Sequence, residues 1–348
     1  RPARLLRSPA WALRFLANAR AARHRRHARA NAELAAYSLR ALDAVCERTG
    51  IELEGRGRGA LKLFDEQRAL GHGLAEAEAV ADLGIRHRAL TPEQAVAREP
   101  ALAERAERLA GAIEFPDDGC GDALHFTEAV SQQAAAAGAE LRLGTTVHHL
   151  LGGRRGVSGV ATDRGPITAD AVVIAAGSYA PRLTRPLGLR LPIEPIKGYS
   201  VTLPLAGADG AAPQVPIIDD ARKIVVTRLG ERLRIAGKAE IAGFDTRLRE
   251  RDWRAVREQG LARFPRLAQR LAEAPSHPWA GLRPMTCDGP PILGPTAIPG
   301  LHLAAGVGHL GWTFAPGGAR LVADQLEGRP CAISPVPFHA ARYRRPPR

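Results

Sequence analysis

Gly281-Leu282-Arg283-Pro284-Met285-Thr286, then Asp288-Gly289, then Gly306-Val307-Gly308-His309-Leu310-Gly311-Trp312-Thr313, is the stretch on which the reading of this 348-residue chain turns. An arginine set between a glycine and a proline leads into a Pro/Gly-rich turn. A short apolar strand at residues 301–305 then feeds a glycine-spaced loop, and the pattern beyond it predicts a helix ending near Glu327. The first turn of such a helix offers backbone N–H groups, unpaired within the helix, to whatever lies in front of it.

Around this stretch the composition is that of an ordinary globular protein, 45% hydrophobic and 24% charged, and long enough for two domains and a sizeable core. The net charge of +13 raises nucleic acid or an acidic membrane as partners. Against that, lysine occurs only at Lys62, Lys197, Lys223 and Lys238, and the arginines are scattered along an Ala-rich, Arg-rich chain. The one cluster is Arg20, Arg23, Arg25, Arg26 and Arg29 with His24 and His27. It carries no interleaved aromatic residues to stack on bases, so it reads as a solvated helical face. Leu5, Leu6, Trp11, Leu13, Phe15 and Leu16 among arginines fit either a helix packed on its own protein, the simpler reading, or one lying on a membrane surface. Cys46, Cys120, Cys287 and Cys331 are widely separated and suggest neither a zinc site nor a disulfide framework.

Taken in order, the chain predicts an amphipathic helix over residues 31–48 stopped by Gly50, a strand at 60–64, and a polar helix near 67–83. Another helix begins at Thr91-Pro92-Glu93, and Asp122 caps one over about 123–137. Short strands follow at 140–143, 146–150, 157–162 and 167–168, and the apolar run 171–176, ending in Gly177, reads as a buried central strand. Pro192 to Leu203 starts a second pass of the chain through its other domain. A hairpin joins 224–228 to 232–236, and Trp253, Val256, Leu261, Phe264, Leu267 and Leu271 mark a covering helix. His125, in a first helical turn, reads as solvated or hydrogen-bonded rather than as a base.

The opening stretch, with Lys197-Gly198-Tyr199-Ser200, Ala239-Glu240-Ile241, Gly243-Phe244-Asp245 and Ala341-Arg342-Tyr343, resembles the D-amino-acid oxidase superfamily, and within it the bacterial D-amino-acid dehydrogenases. The resemblance covers nearly the whole chain. It implies an α+β fold: an α/β flavin-binding domain (residues 1–54, 116–188 and 281–348) interleaved with a substrate domain on a mixed or antiparallel sheet (55–115 and 189–280). Such enzymes also carry an N-terminal strand, Gly-x-Gly-x-x-Gly turn and helix for the ADP half of FAD. The first fifty residues contain a single glycine, Gly50, so the expected form is an N-terminally truncated FAD-dependent oxidoreductase, in which the chain alone is inactive.

As the resemblance implies it, the activity is FAD-dependent oxidative deamination of a D-amino acid, with electrons passed to a quinone or respiratory acceptor. The location would be cytoplasmic or peripheral on the inner face of the plasma membrane. Arg283 would grip the substrate carboxylate, since its fork fixes angle as well as position, and Tyr199 would close the pocket. FAD would meet Val147, Ala175, Ala176 and Gly177, and its ring would lie along Gly306, Gly308, His309, Leu310, Gly311, Trp312 and Thr313. Departures from the family pattern stand at Val307, His309, Cys287 and Lys238, and Pro316 is expected to bend the last helix. Two other readings stay open: a glycine- or sarcosine-type amine oxidase, and a non-catalytic basic protein that binds nucleic acid or a membrane surface.

Overall fold

The computed structural model describes residues 8–53, 55 and 58–343. In chain order the elements are α1 (Pro9–Asn18), α2 (Ala21–Thr49), β1 (Ala60–Phe64), α3 (Gln67–Glu78), β2 (Arg88–Leu90), α4 (Pro92–Arg98), β3 (Gly111–Phe115) and α5 (Ala123–Ala136). Then come β4 (Val147–Gly153), β5 (Gly156–Thr162), β6 (Gly165–Thr168), β7 (Val172–Ile174), α6 (Ala180–Thr184), β8 (Ile193–Pro204), β9 (Ile217–Asp219), β10 (Ile224–Leu229) and β11 (Arg232–Ile241). The chain closes with α7 (Glu250–Leu261), α8 (Pro265–Arg270), β12 (His277–Thr286), β13 (Ile292–Pro295), β14 (Leu301–Ala305) and α9 (Gly311–Leu326).

The helix boundaries follow from identifiable residues. Gly50 ends α2 with φ 70°, its N–H returned to the Cys46 carbonyl. Thr91 opens α4 in a reciprocal capping box with Gln94, and the Asp122 carboxylate accepts the Leu124 N–H at the start of α5. The first helix expected at residue 31 in fact begins at Ala21, because an Ala/Arg-rich segment has high helix propensity even without an apolar stripe. The covering helix is two helices, broken where Phe264 precedes Pro265.

The largest sheet has the order β12-β8-β11-β10-β9-β1-β3-β2, antiparallel except where β1 meets β9. On one face α7 and α8 seal a core that includes Tyr199, Val201, Leu203, Ile235, Val256, Phe264 and Leu267. The opposite face of β8 and β12 carries the candidate site. Two three-stranded sheets complete the described fold: β13-β14-β7, in which β14 and β7 run parallel, and the antiparallel β4-β5-β6.

Two strand expectations fail. Residues 140–143 form no strand, since none of the described strands lies beside them to take their backbone hydrogen bonds; Leu143 is 81% exposed. The run 171–176 is ordered as strand only over Val172–Ile174. Among the described strands it pairs with β14 alone, leaving it at a sheet edge with Val173 40% exposed instead of central.

The last helix is set by small residues. A side chain at Gly317 would collide with the backbone of Ser38, so α9 and α2 cross at close range, and the Gly317 N–H donates to Ser38 Oγ at 3.0 Å. Pro316 lies inside α9, which continues through it.

Candidate active site

Arg283 sits on β12 opposite Ile196 of β8, and two glycines make the floor beside it. Gly281 and Gly198 face each other across the two strands. The Trp279 ring covers the first, and the Arg283 guanidinium covers the second so closely that a methyl group on Gly198 would overlap it. Lacking any side chain to cross, Arg283 reaches over β8 to β11, where its Nη1 donates to the Lys238 carbonyl at 2.8 Å. Among the described residues no carboxylate pairs with it. Burial alone shifts its pKa, downward, as expected for a cation removed from water without a counter-ion.

The same strand holds the glycine loop. Met285 bridges to Val307, and the Gly308 N–H donates to the Pro284 carbonyl at 3.0 Å. Gly306 and Gly308 have φ of 72° and 60°, a region open to glycine without strain. The loop delivers the chain into α9 through Leu310, with no side-chain cap and no acidic residue in the first turn. The positive end of this 16-residue helix therefore has neither a capping side chain nor an acidic residue to offset it. His309 stands near Arg283; burial first, and that neighbouring charge second, hold its imidazole pKa below the ordinary value. Trp312 turns the other way, edge-on to Phe126 of α5 and against Gly121.

Ala175, Ala176 and Gly177 follow the end of β7, next to the end of β14 from which the Gly306–Thr313 loop departs. Loops leaving the carboxyl ends of neighbouring parallel strands are where such folds hold ligands. Just beyond, the Ser178 hydroxyl is buried with no hydrogen-bond partner, and the residue borders a cavity of 420 Å³ lined also by Arg182, Glu194, Ile241 and Phe244. Sequence reading missed Ser178, Gly198, Trp279 and the Lys238 carbonyl. Val147 stands on the separate β4-β5-β6 sheet, 38% exposed.

Tyr199 is a correction. Its ring is 1% exposed and lies in the core beneath α7, on the face of β8 opposite Gly198 and Arg283. Its hydroxyl meets Glu240 at 2.8 Å and Asp252 at 3.4 Å, and burial pushes its pKa upward. It therefore closes no pocket over Arg283, because neighbouring residues of a strand point to opposite faces.

The family described as FAD-dependent oxidoreductase (DAO) matches residues 4–325, spanning the arginine strand, the glycine loop and α9. The chain belongs to the DAO family. Among its relatives is an "uncharacterized oxidoreductase in pyp 5'region" of Halorhodospira halophila, 72% identical over 63% of this chain and all of that one. A D-amino acid dehydrogenase of Xanthobacter autotrophicus is 40% identical over 96% of this chain and 78% of the relative. Glycine oxidase from Geobacillus kaustophilus has the same fold, with a TM-score of 0.75 at 30% identity, covering 88% of this chain and 81% of that one.

Membership of the DAO family makes the protein an FAD-dependent oxidoreductase. The residues present fit that cofactor. A helix start without cap or acid suits an anionic, acceptor-rich ring edge, and a side chain at Gly306 or Gly308 would run into Thr286 or Met285, so glycine at both lets the loop lie close on the arginine strand. The orphan Ser178 hydroxyl lacks a partner that a polar ligand would supply.

Proposed function

We propose that this protein oxidises D-amino acids to 2-oxo acids and ammonia and passes the electrons to a quinone or other respiratory acceptor. The observation that carries the reading is Arg283: a half-buried guanidinium without a carboxylate partner, on a glycine floor and on the strand that anchors the cofactor loop. Its fork binds a carboxylate in two parallel hydrogen bonds, which orients the adjacent α-carbon. The chemistry that FAD would supply, when bound, is that of a hydride acceptor. The residues assigned to hold it are Gly306, Gly308, His309, Leu310, Gly311 and Thr313 at the ring, with Trp312 through its backbone alone since its ring packs on Phe126, and Ala175, Ala176, Gly177 and Val147 toward the nucleotide end. First-turn amides of α9 would favour negative charge on a group held in front of them, a contribution of roughly 0.3–2 kcal/mol. His309, its pKa lowered, stays neutral beside Arg283 at neutral pH and does not compete for the carboxylate.

The name dehydrogenase among the relatives supports an acceptor other than dioxygen. The likeness to glycine oxidase supports a second reading, an oxidase of glycine or a secondary amine, because one arginine anchors all these carboxylates. Flavin-loaded protein should reduce a quinone-like dye with D-alanine in preference to L-alanine and glycine, releasing one ammonia per two electrons. Stoichiometric peroxide with glycine or sarcosine and no dye reduction would select the second reading instead.

For location, the favoured reading is peripheral attachment to an anionic membrane face. Residues 8–32 contain six arginines and no Asp or Glu. Helix α1 buries no residue, and Leu13, Phe15 and Leu16 are 68%, 46% and 67% exposed; Leu5 and Leu6 lie outside the described residues. Trp11 Nε1 and Asn18 Nδ2 tie α1 to the Met285 and Cys287 carbonyls, so the helix rests on the strand that bears Arg283. No helix of the described residues is long and apolar enough to cross a membrane. The protein is expected to sediment with phosphatidylglycerol-containing vesicles, to lose that binding about tenfold on Leu13→Ser/Leu16→Ser, and to ignore neutral vesicles. Equal recovery with both vesicle types, or displacement by a DNA duplex at lower concentration than by lipid, would remove the membrane reading.

A further inference from the structure

Strand β11 carries one residue too many. Gly237 pairs with Tyr199 and Ala239 with Gly198, which leaves Lys238 bulged out of the ladder. Its φ of 55° is left-handed, where non-glycine residues sit only when their surroundings hold them. What holds Lys238 lies on the far side of the sheet. Its ammonium pairs with Asp252 of α7 at 2.6 Å, over the Tyr199 ring at 5.4 Å, and Asp252 is 7% exposed with its pKa lowered by that lysine first of all. Tyr199 brings Glu240 and Asp252 together from below. On the near side, the carbonyl freed by the bulge takes the Arg283 Nη1–H across Gly198.

We infer that Lys238 is a positioning residue for Arg283: the ion pair with Asp252 behind the sheet fixes the bulge whose carbonyl aims the guanidinium in front of it. The inference rests on the reading of Arg283 as the carboxylate anchor. A lysine in this role acts through its backbone, and its charge never enters the pocket. The left-handed conformation is kept by the Lys238–Asp252 pair, so glycine, which adopts it freely, replaces both members of the pair at once.

The test uses flavin-loaded protein, kinetics with D-alanine, and competition by propionate, which has the carboxylate without the amine. Asp252→Asn and Lys238→Met are expected to raise KM and the propionate inhibition constant about tenfold while kcat changes less than twofold. Lys238→Gly should stay within about twofold of the unaltered protein, and Asp252→Asn placed in the Lys238→Gly background should have no further effect. That rescue separates aiming from general stability, since a merely structural ion pair would lower the melting temperature in Asp252→Asn, Lys238→Met and Lys238→Gly alike and leave propionate binding unchanged in all three. If Arg283→Ala weakens propionate but Asp252→Asn and Lys238→Met do not, the positioning role is overturned while the anchor stands. If Arg283→Ala leaves propionate binding unchanged, the anchor falls and the positioning role falls with it.

Discussion

Flavin-loaded protein carrying Arg283→Lys is expected to lose about 10- to 100-fold in kcat/KM on D-amino acids, about 1.4–2.7 kcal/mol, and Arg283→Ala more, in the range of about 2–5 kcal/mol for removing one partner of a desolvated charge pair. The argument is geometric. A lysine ammonium set on β12 retains the charge but has no planar fork, so it cannot hold two carboxylate oxygens and the Lys238 carbonyl together. The loss should appear mainly in KM for the lysine variant, because binding of the carboxylate is common to ground and transition states. Steady-state kinetics with D-alanine and with an amine lacking a carboxylate check this. An equal loss on both substrates would mean that Arg283 supports the fold instead of the substrate.

Gly198→Ala is expected to be nearly as damaging to activity and almost silent in stability. The added methyl meets the mobile end of Arg283, not a backbone or a ring, so the strand can accept it once the guanidinium swings away. Displacing an orienting group by about 1 Å costs on the order of 100-fold in rate. The measurement pairs kcat/KM with a melting curve. A large fall in melting temperature with unchanged kinetics would show that the glycine serves packing alone.

These two positions also mark what could be read from the sequence. Arg283 and the loop 306–313 stand out in the chain because glycine spacing, a strand and a helix start are local features, and the structure places them side by side. Gly198 was visible only as part of a resemblance, since its use comes from lying opposite Gly281 and under Arg283, a matter of register between strands far apart in sequence. The Lys238 bulge is hidden for the same reason: one extra residue is counted against β8, not within β11. Tyr199 was misassigned because both faces of β8 are buried over 197–201, and composition cannot tell which face a strand residue takes. The apolar run 171–176 reads alike at an edge or a centre, because the neighbours of a strand are not written in it.

The backbone bond from Gly308 to the Pro284 carbonyl, with the Met285–Val307 bridge, joins the arginine strand to the loop assigned to the flavin ring at the residues next to Arg283 itself. The arginine strand and the loop are thus two segments tied directly to one another through backbone groups. On the proposed reading, the interval from carboxylate to reacting carbon is then fixed by this pairing of backbone with backbone. The same reading makes the spacing of amine and carboxylate, rather than the substrate side chain, the feature that these paired segments measure.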